Sequence, residues 1–350
     1  MNATASQPSV ETDRPGPILI EQVLADIWRF TLDLEAVELD ASFFSLGGDS
    51  LLAMVTIEQI KQRLGWRLNL GELMRLPSIR ALAASRATPQ LANDERPLVR
   101  LSNRGDLPPL VLLHPETGLA SAYGKLVRWL GRGRGCYAVQ SPLFSGEELP
   151  PTIEQQAELY AELLYEEFAD EEIHLAGWSG GAALAYELAR IGPARQLGVS
   201  KLVLIDPPPP AAPEPPRELL LARFAEQLAA QSGRDQPAGL GAGDPGDVAS
   251  LVPWVFGAGA ELSAGSAALD AAVETYRTCT SALARYTVGD APDALDVPAL
   301  LLHGAATEAA AASWRLACPA ATAQLAGDAG GPLCAEAARA LADKIGTFCR

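Results

Sequence analysis

A small all-α four-helix bundle followed by a larger α/β domain with a mostly parallel sheet is the architecture this chain predicts. Two patterns and the break between them carry that expectation. Apolar residues recur at three- and four-residue steps through "ILIEQVLADIWRFTL" and "LLAMVTIEQIKQRLG", the period of amphipathic helices. From Leu98 onward, short apolar runs rich in β-formers alternate with helical stretches, which predicts a parallel sheet covered on both faces. Between the two regions lies "ATPQLANDERP", polar and carrying two prolines.

Element by element, residues 1–17 are polar and proline-rich with no apolar h-region, and read as a disordered lead-in rather than a signal peptide. The helical block covers 18–86. Its first helix leads through "EAVELDASFFSLGGDS" to a second that Gly65 ends, and "LGELMRLPS" and "IRALAASRA" add two shorter pieces. Residues 87–97 are a linker. The domain over 98–350 places strands at "PPLVLLH", "GCYAVQ", "EEIHLAGW", "KLVLIDP", "DVPALLLHG" and "ATAQLAG". The alternation stops at about 207–296. An insertion at that edge of a parallel sheet is where a helical lid over a pocket is built.

Bulk properties exclude several classes. A net charge of −16 and the lack of a basic stripe argue against nucleic acid. No apolar run approaches a membrane span. Five scattered cysteines, without a CxxC pair or an export signal, read as reduced thiols of a cytoplasmic protein. With three histidines equally scattered, no metal ligand set is expected.

Two serines sit where chemistry is done. Ser50, between a glycine turn and an apolar helix, lies at a helix N-terminus, where it can cap the helix or bear a phosphate favoured by unpaired N–H groups and the dipole. Ser179 occupies "GWSGG", a strand, a G-x-S-x-G turn and a helix. Gly177 and Gly181 are needed because a strained serine turn packs strand against helix, and the Gly180 N–H can then donate to an oxyanion. Asp206 ends the next strand in "KLVLIDP", where an acid can orient an imidazole; the alternative is an aspartate that merely caps the lid. In "LLHPETG", His114 reads as structural, while the backbone N–H of Glu116 is the expected second oxyanion donor.

These stretches resemble a known pair of domains. "DASFFSLGGDSLLAM", within residues 18–86, is similar to the thiolation (peptidyl carrier) domain of nonribosomal peptide synthetases. The resemblance implies a 4′-phosphopantetheine arm on Ser50. "HPETG", "YAVQSP", "HLAGWSGG", "LVLIDP" and "GDAGG" resemble the C-terminal thioesterase domain of the same synthetases, an α/β-hydrolase fold. It implies Ser179 as nucleophile, Asp206 as orienting acid and a peptidyl or aminoacyl thioester as substrate. Upstream synthetase modules and a phosphopantetheinyl transferase are the implied partners, and a monomer is expected.

The chain departs from that pattern at one position. The family's histidine directly follows "GD" in the last loop, and here Ala329 stands there. Without an imidazole Ser179 lacks its proton acceptor, a loss of about 10⁴-fold or more in comparable sites. Ala329 reads as an introduced substitution, as a natural one, or as a sign that the loop is misaligned. His303, ending the strand in "LLLHG", is the alternative base; His174 lies inside a strand as a buried, hydrogen-bonded residue. Two functions follow: a carrier and chain-release enzyme impaired by Ala329, or a non-catalytic or trans-acting carrier that holds an acyl thioester.

Overall fold

In the computed structural model, the described residues are 17–66, 68, 70–87, 97–102, 105–130, 133–211, 213–232, 251, 266–288, 295–325 and 335–350. The lead-in, the linker core at 88–96, most of the lid loop and the last loop at 326–334 lie outside them, so the expectations placed there are not addressed by the fold.

The helical domain consists of α1 (Pro17–Leu32), α2 (Ser50–Leu64), α3 (Leu70–Arg75) and α4 (Ile79–Ala87). Helical spacing selects what each helix buries: Leu24, Ile27 and Trp28 from α1, Ala53, Met54 and Ile60 from α2, Ile79, Leu82 and Ala83 from α4. At roughly 1.5–3 kcal/mol for each large apolar side chain removed from water, this face holds the bundle together. Phe43, from the long loop, stands edge-on to Trp28 at 5.2 Å and plugs the middle. Gly48 is obligatory beside it, because a Cβ there would fall 2.3 Å from the Phe43 ring. Helix α2 begins differently from the simplest reading. Asp49 is the N-cap, accepting the Leu52 N–H at 2.8 Å, and Ser50 is the first helical residue. Gly65 closes the helix in the left-handed region, φ 68°.

The second domain is built on a seven-stranded sheet of order β1-β3-β2-β4-β5-β6-β7. Its strands are β1 (Leu98–Arg100), β2 (Leu107–Leu113), β3 (Arg134–Val139), β4 (Glu172–Trp178), β5 (Gly198–Ile205), β6 (Ala299–His303) and β7 (Thr322–Leu325). The six strands expected from the sequence pair in parallel, and β1 adds an antiparallel edge on β3 that three residues were too few to announce. Helix α3 packs against that edge strand, and the carrier-side apolar residues Leu73 and Met74 share one continuous cluster with Val99.

Strand alternation divides the core in two. Leu110, Leu112, Ala176, Val203 and Leu300 face one side, which α5 (Gly124–Leu130) and the C-terminal helix (Ala335–Phe348) cover. Val111, Leu113, Leu175, Leu202, Leu204 and Leu301 face the other, covered by α6 (Ile153–Phe168), α7 (Gly180–Ile191) and Trp314. Burial of the last four residues of β2 and β5 and the last six of β4 is what the middle of a sheet wet on neither face requires. The α-helices among the described residues of the lid are α8 (Leu220–Ser232) and α9 (Ser266–Arg285).

Buried Arg134 ties this domain to its own C-terminus. Its guanidinium donates to the Pro108 and Cys349 carbonyls and meets His174 Nδ1 at 2.8 Å. A guanidinium can only donate, so Nδ1 of His174 must accept and the ring is held neutral with its proton on Nε2. Burial first, then the Arg134 and Lys201 charges, lower its pKa to about 4.

Candidate active site

The chain turns sharply where β4 meets α7. Ser179 adopts φ 54°, ψ −126°, a region that side chains rarely occupy, and its N–H continues the ladder to the Ile205 carbonyl at 2.9 Å. The two flanking glycines are sterically compelled. A Cβ on Gly177 would sit 1.9 Å from the Gly181 oxygen, and one on Gly181 would sit 2.3 Å from the Leu113 oxygen. Strand and helix therefore touch backbone to backbone, and the serine is raised above the sheet with the Gly180 N–H beside it.

The partner of Ser179 is an acid. Its Oγ donates to Glu116 Oε1 at 2.7 Å, and the Gly180 N–H donates to that same oxygen at 3.0 Å. Gln227, on lid helix α8, donates its Nε2 to the second oxygen, Oε2. Glu116 is 7% exposed, and among the described residues no cation pairs with it. The Oε1 atom occupies the place where an oxyanion formed at Ser179 would meet the Gly180 N–H. Burial, reinforced by the charge of Glu116, pushes the Tyr276 phenol and the Cys279 thiol well up. A second contact fixes α8 over the same turn, Gln231 Nε2 donating to Thr117 Oγ1 at 2.9 Å. Behind the elbow, the buried Tyr123 hydroxyl accepts the Trp178 N–H at 2.9 Å and donates to the Leu113 carbonyl.

Asp206 stands at the end of β5 with φ 41°. Its Oδ1 accepts the Gly304 N–H at 2.7 Å and the Thr307 hydroxyl at 2.6 Å, while Oδ2 takes no hydrogen bond from the described residues. His303 turns elsewhere, with Nδ1 3.1 Å from the Gly304 carbonyl. His114 is buried between the Pro115 carbonyl and the Tyr160 hydroxyl (2.6 Å to Nε2), and burial lowers its pKa to about 4. None of the three imidazoles thus hydrogen-bonds to Ser179. Ala329 lies outside the described residues.

Sequence reasoning found Ser179, Gly180 and Asp206 because strand ends and glycine spacing announce them. It placed Glu116 at the site for its backbone N–H and missed that its carboxylate reaches Ser179. It also missed Gln227 and Thr307. The available signal was an ionisable residue in "HPETG", an otherwise uncharged turn; nothing in "AEQLAAQ" singles out which glutamine faces inward.

At the other serine, the surroundings fit a phosphopantetheine arm. Ser50 opens a helix of 15 residues whose N-cap, Asp49, accepts the Leu52 N–H, and a helix N-terminus favours an anion such as a phosphate.

Comparison with known proteins agrees with both halves. Residues 22–85 match the family model "Phosphopantetheine attachment site" and residues 108–240 match "Thioesterase domain". A dimodular nonribosomal peptide synthase of Bacillus subtilis (strain 168) is 33% identical over 189 residues, which are 53% of this chain and 8% of that protein. Indigoidine synthase of Streptomyces lavendulae is 31% identical over 171 residues, 48% of this chain and 13% of its own length. The chain thus spans only a small fraction of these curated relatives. Among solved structures, holo-AB3403, a four-domain nonribosomal peptide synthetase bound to AMP and glycine, aligns over 99% of this chain and 27% of its own, with 25% identity and a TM-score of 0.63. The Vlm2 thioesterase domain covers 72% of this chain and 97% of its own at 20% identity and a TM-score of 0.55, a likeness of fold. This chain is therefore a phosphopantetheine-attachment domain joined to a thioesterase domain of the α/β-hydrolase fold, and it belongs to the carrier–thioesterase didomains of nonribosomal peptide synthetases.

Proposed function

We propose that this chain releases an acyl or peptidyl chain from a synthetase by way of Ser179. The phosphopantetheine on Ser50 supplies the thioester that presents the acyl chain. Ser179 then takes the acyl group as an ester, and water or an internal nucleophile of the chain frees it. The observation that carries this reading is the strained elbow of Ser179, with the Gly180 N–H at its side and Asp206 on the neighbouring strand end. Asp206 keeps Oδ2 free of the described residues, as an acid that orients an imidazole would. With Ala329 where the family has histidine, release by this chain is slow. Upstream modules and a phosphopantetheinyl transferase are its partners, and it works in the cytoplasm as a monomer.

The second reading, a carrier that holds its thioester without turning it over, is favoured by one feature: the Glu116 carboxylate fills the place of the oxyanion. Loading Ser50 by a phosphopantetheinyl transferase with an acylated coenzyme A, followed by intact-mass analysis of the Ser50 and Ser179 peptides, separates the two. Release predicts mass moving from Ser50 to Ser179. Mass that stays on Ser50, in this chain and in Ala329→His alike, leaves only the holding function.

A further inference from the structure

Resting on the release reading, we propose that Glu116 is a catalytic residue of this chain, the base that takes the proton of Ser179 where no imidazole does. Three observations carry it. The Ser179 hydroxyl already donates to Glu116 Oε1 at 2.7 Å, the geometry from which a proton is transferred. The three histidines are bonded elsewhere. The carboxylate is also held from behind: Gln227 donates to Oε2 while its own Oε1 is buried with no hydrogen-bond partner among the described residues. An unsatisfied buried acceptor is costly, so the arrangement holds Glu116 in place at the expense of Gln227.

Glu116 Oε1 accepts from both the Ser179 hydroxyl and the Gly180 N–H, and this sharing orders the step. When the thioester carbonyl enters, it takes over the Gly180 N–H from Glu116 Oε1. The Oγ–H bond then breaks toward Glu116 Oε1 and Oγ bonds to the carbonyl carbon. The tetrahedral oxyanion lies on the Gly180 N–H. Collapse breaks the C–S bond, and the departing sulfur leaves as a thiol with the proton held by Glu116. In the second half, Glu116 accepts a proton from water or from the incoming amine or hydroxyl. That nucleophile bonds to the carbonyl carbon, the C–Oγ bond breaks, and the proton returns to Ser179. Atoms and charge balance with no further co-reactant.

The test uses the full chain and an acyl-N-acetylcysteamine thioester, with quenched-flow mass spectrometry of the Ser179 peptide and, separately, labelling of Ser179 by a small fluorophosphonate. Glu116→Gln, which keeps the shape and loses the proton acceptor, is expected to slow both by about 10²-fold or more. Glu116→Asp, a carboxylate withdrawn by one methylene, is expected to fall between the two and guards against a glutamine variant that misfolds. Equal or faster acylation in both variants overturns the inference, faster meaning that the carboxylate only fills the oxyanion place. Failure of the unaltered chain to acylate Ser179 at all, with acylation appearing in Ala329→His, also overturns it and leaves the release reading standing. Absence of acylation even in Ala329→His is the distinct outcome that sinks the release reading itself.

Discussion

At the scale of single residues, the site turns on which group can accept a proton. In Ala329→His an imidazole returns to the position the family uses, and thioester hydrolysis should rise by about 10²–10⁴-fold, the usual worth of a positioned general base. Asp206→Asn should then cost more in that background than in the unaltered chain, because its orienting role needs a ring to orient. Steady-state hydrolysis of one thioester by the four variants reads both effects, and equal losses in the two backgrounds would remove Asp206 from the triad. The two buried histidines set a different expectation. Each has its pKa lowered from the ordinary 6.5 to about 4, so the fold keeps it neutral while the unfolded chain protonates it near 6.5. Their contribution to stability is complete above pH 6.5 and is lost as pH falls toward 4, up to roughly 3 kcal/mol for each ring. Urea melts of His174→Gln should therefore show a shallower decline across that window than the unaltered protein. An identical decline would mean that His174 is not held neutral.

At the scale of elements, the strand-to-helix turn and the capped helix obey local rules that a single methyl group can break. Gly177→Ala would drive a Cβ into the Gly181 carbonyl, backbone against backbone, where no side chain can move aside. The expected result is loss of Ser179 labelling by a fluorophosphonate, with a fall in melting temperature of the larger domain. Near-normal labelling in a folded Gly177→Ala variant would deny the close approach of β4 and α7. In the helical domain, Asp49→Ala removes the acceptor of the Leu52 N–H and should cost about 1 kcal/mol of helix α2 stability. Much of this was legible beforehand. The glycine spacing around Ser179, the stop at Gly65 and all six parallel strands follow from period and turn chemistry. Strand β1 was not, since three residues hold no period; its partner β3 and helix α3 make it a strand.

For the whole molecule, the question is how two domains share one cargo. A flexible linker of the length expected at 87–97 would span roughly 15–20 Å at random-coil scaling, and an arm on Ser50, as proposed, would add reach. Deleting most of it should slow transfer from Ser50 to Ser179 within one chain, and single-turnover transfer at the unaltered rate would show that delivery does not depend on that slack. The packing of α3 on β1 gives this motion a fixed end: the bundle is not a free bead, because Leu73 and Met74 are buried in the same cluster as Val99. That contact also covers the edge of the sheet, where unpaired strand groups would otherwise invite another chain.

Taken alone, the sequence determined the two architectures, the elbow serine, the strand-end aspartate and the serine at the head of α2, because each depends on neighbours within a few residues. It also set the net charge of −16. Only the tertiary structure decided what Ser179 touches. Residues 116, 179 and 227 are far apart along the chain, and no local period records that the sheet end and the lid helix bring their side chains to one oxygen pair. For the same reason it was the fold that gave Asp206 to Gly304 and Thr307 rather than to His303. Spacing can place a residue at the edge of a sheet, but the hydrogen bonds it makes there depend on which distant atoms arrive.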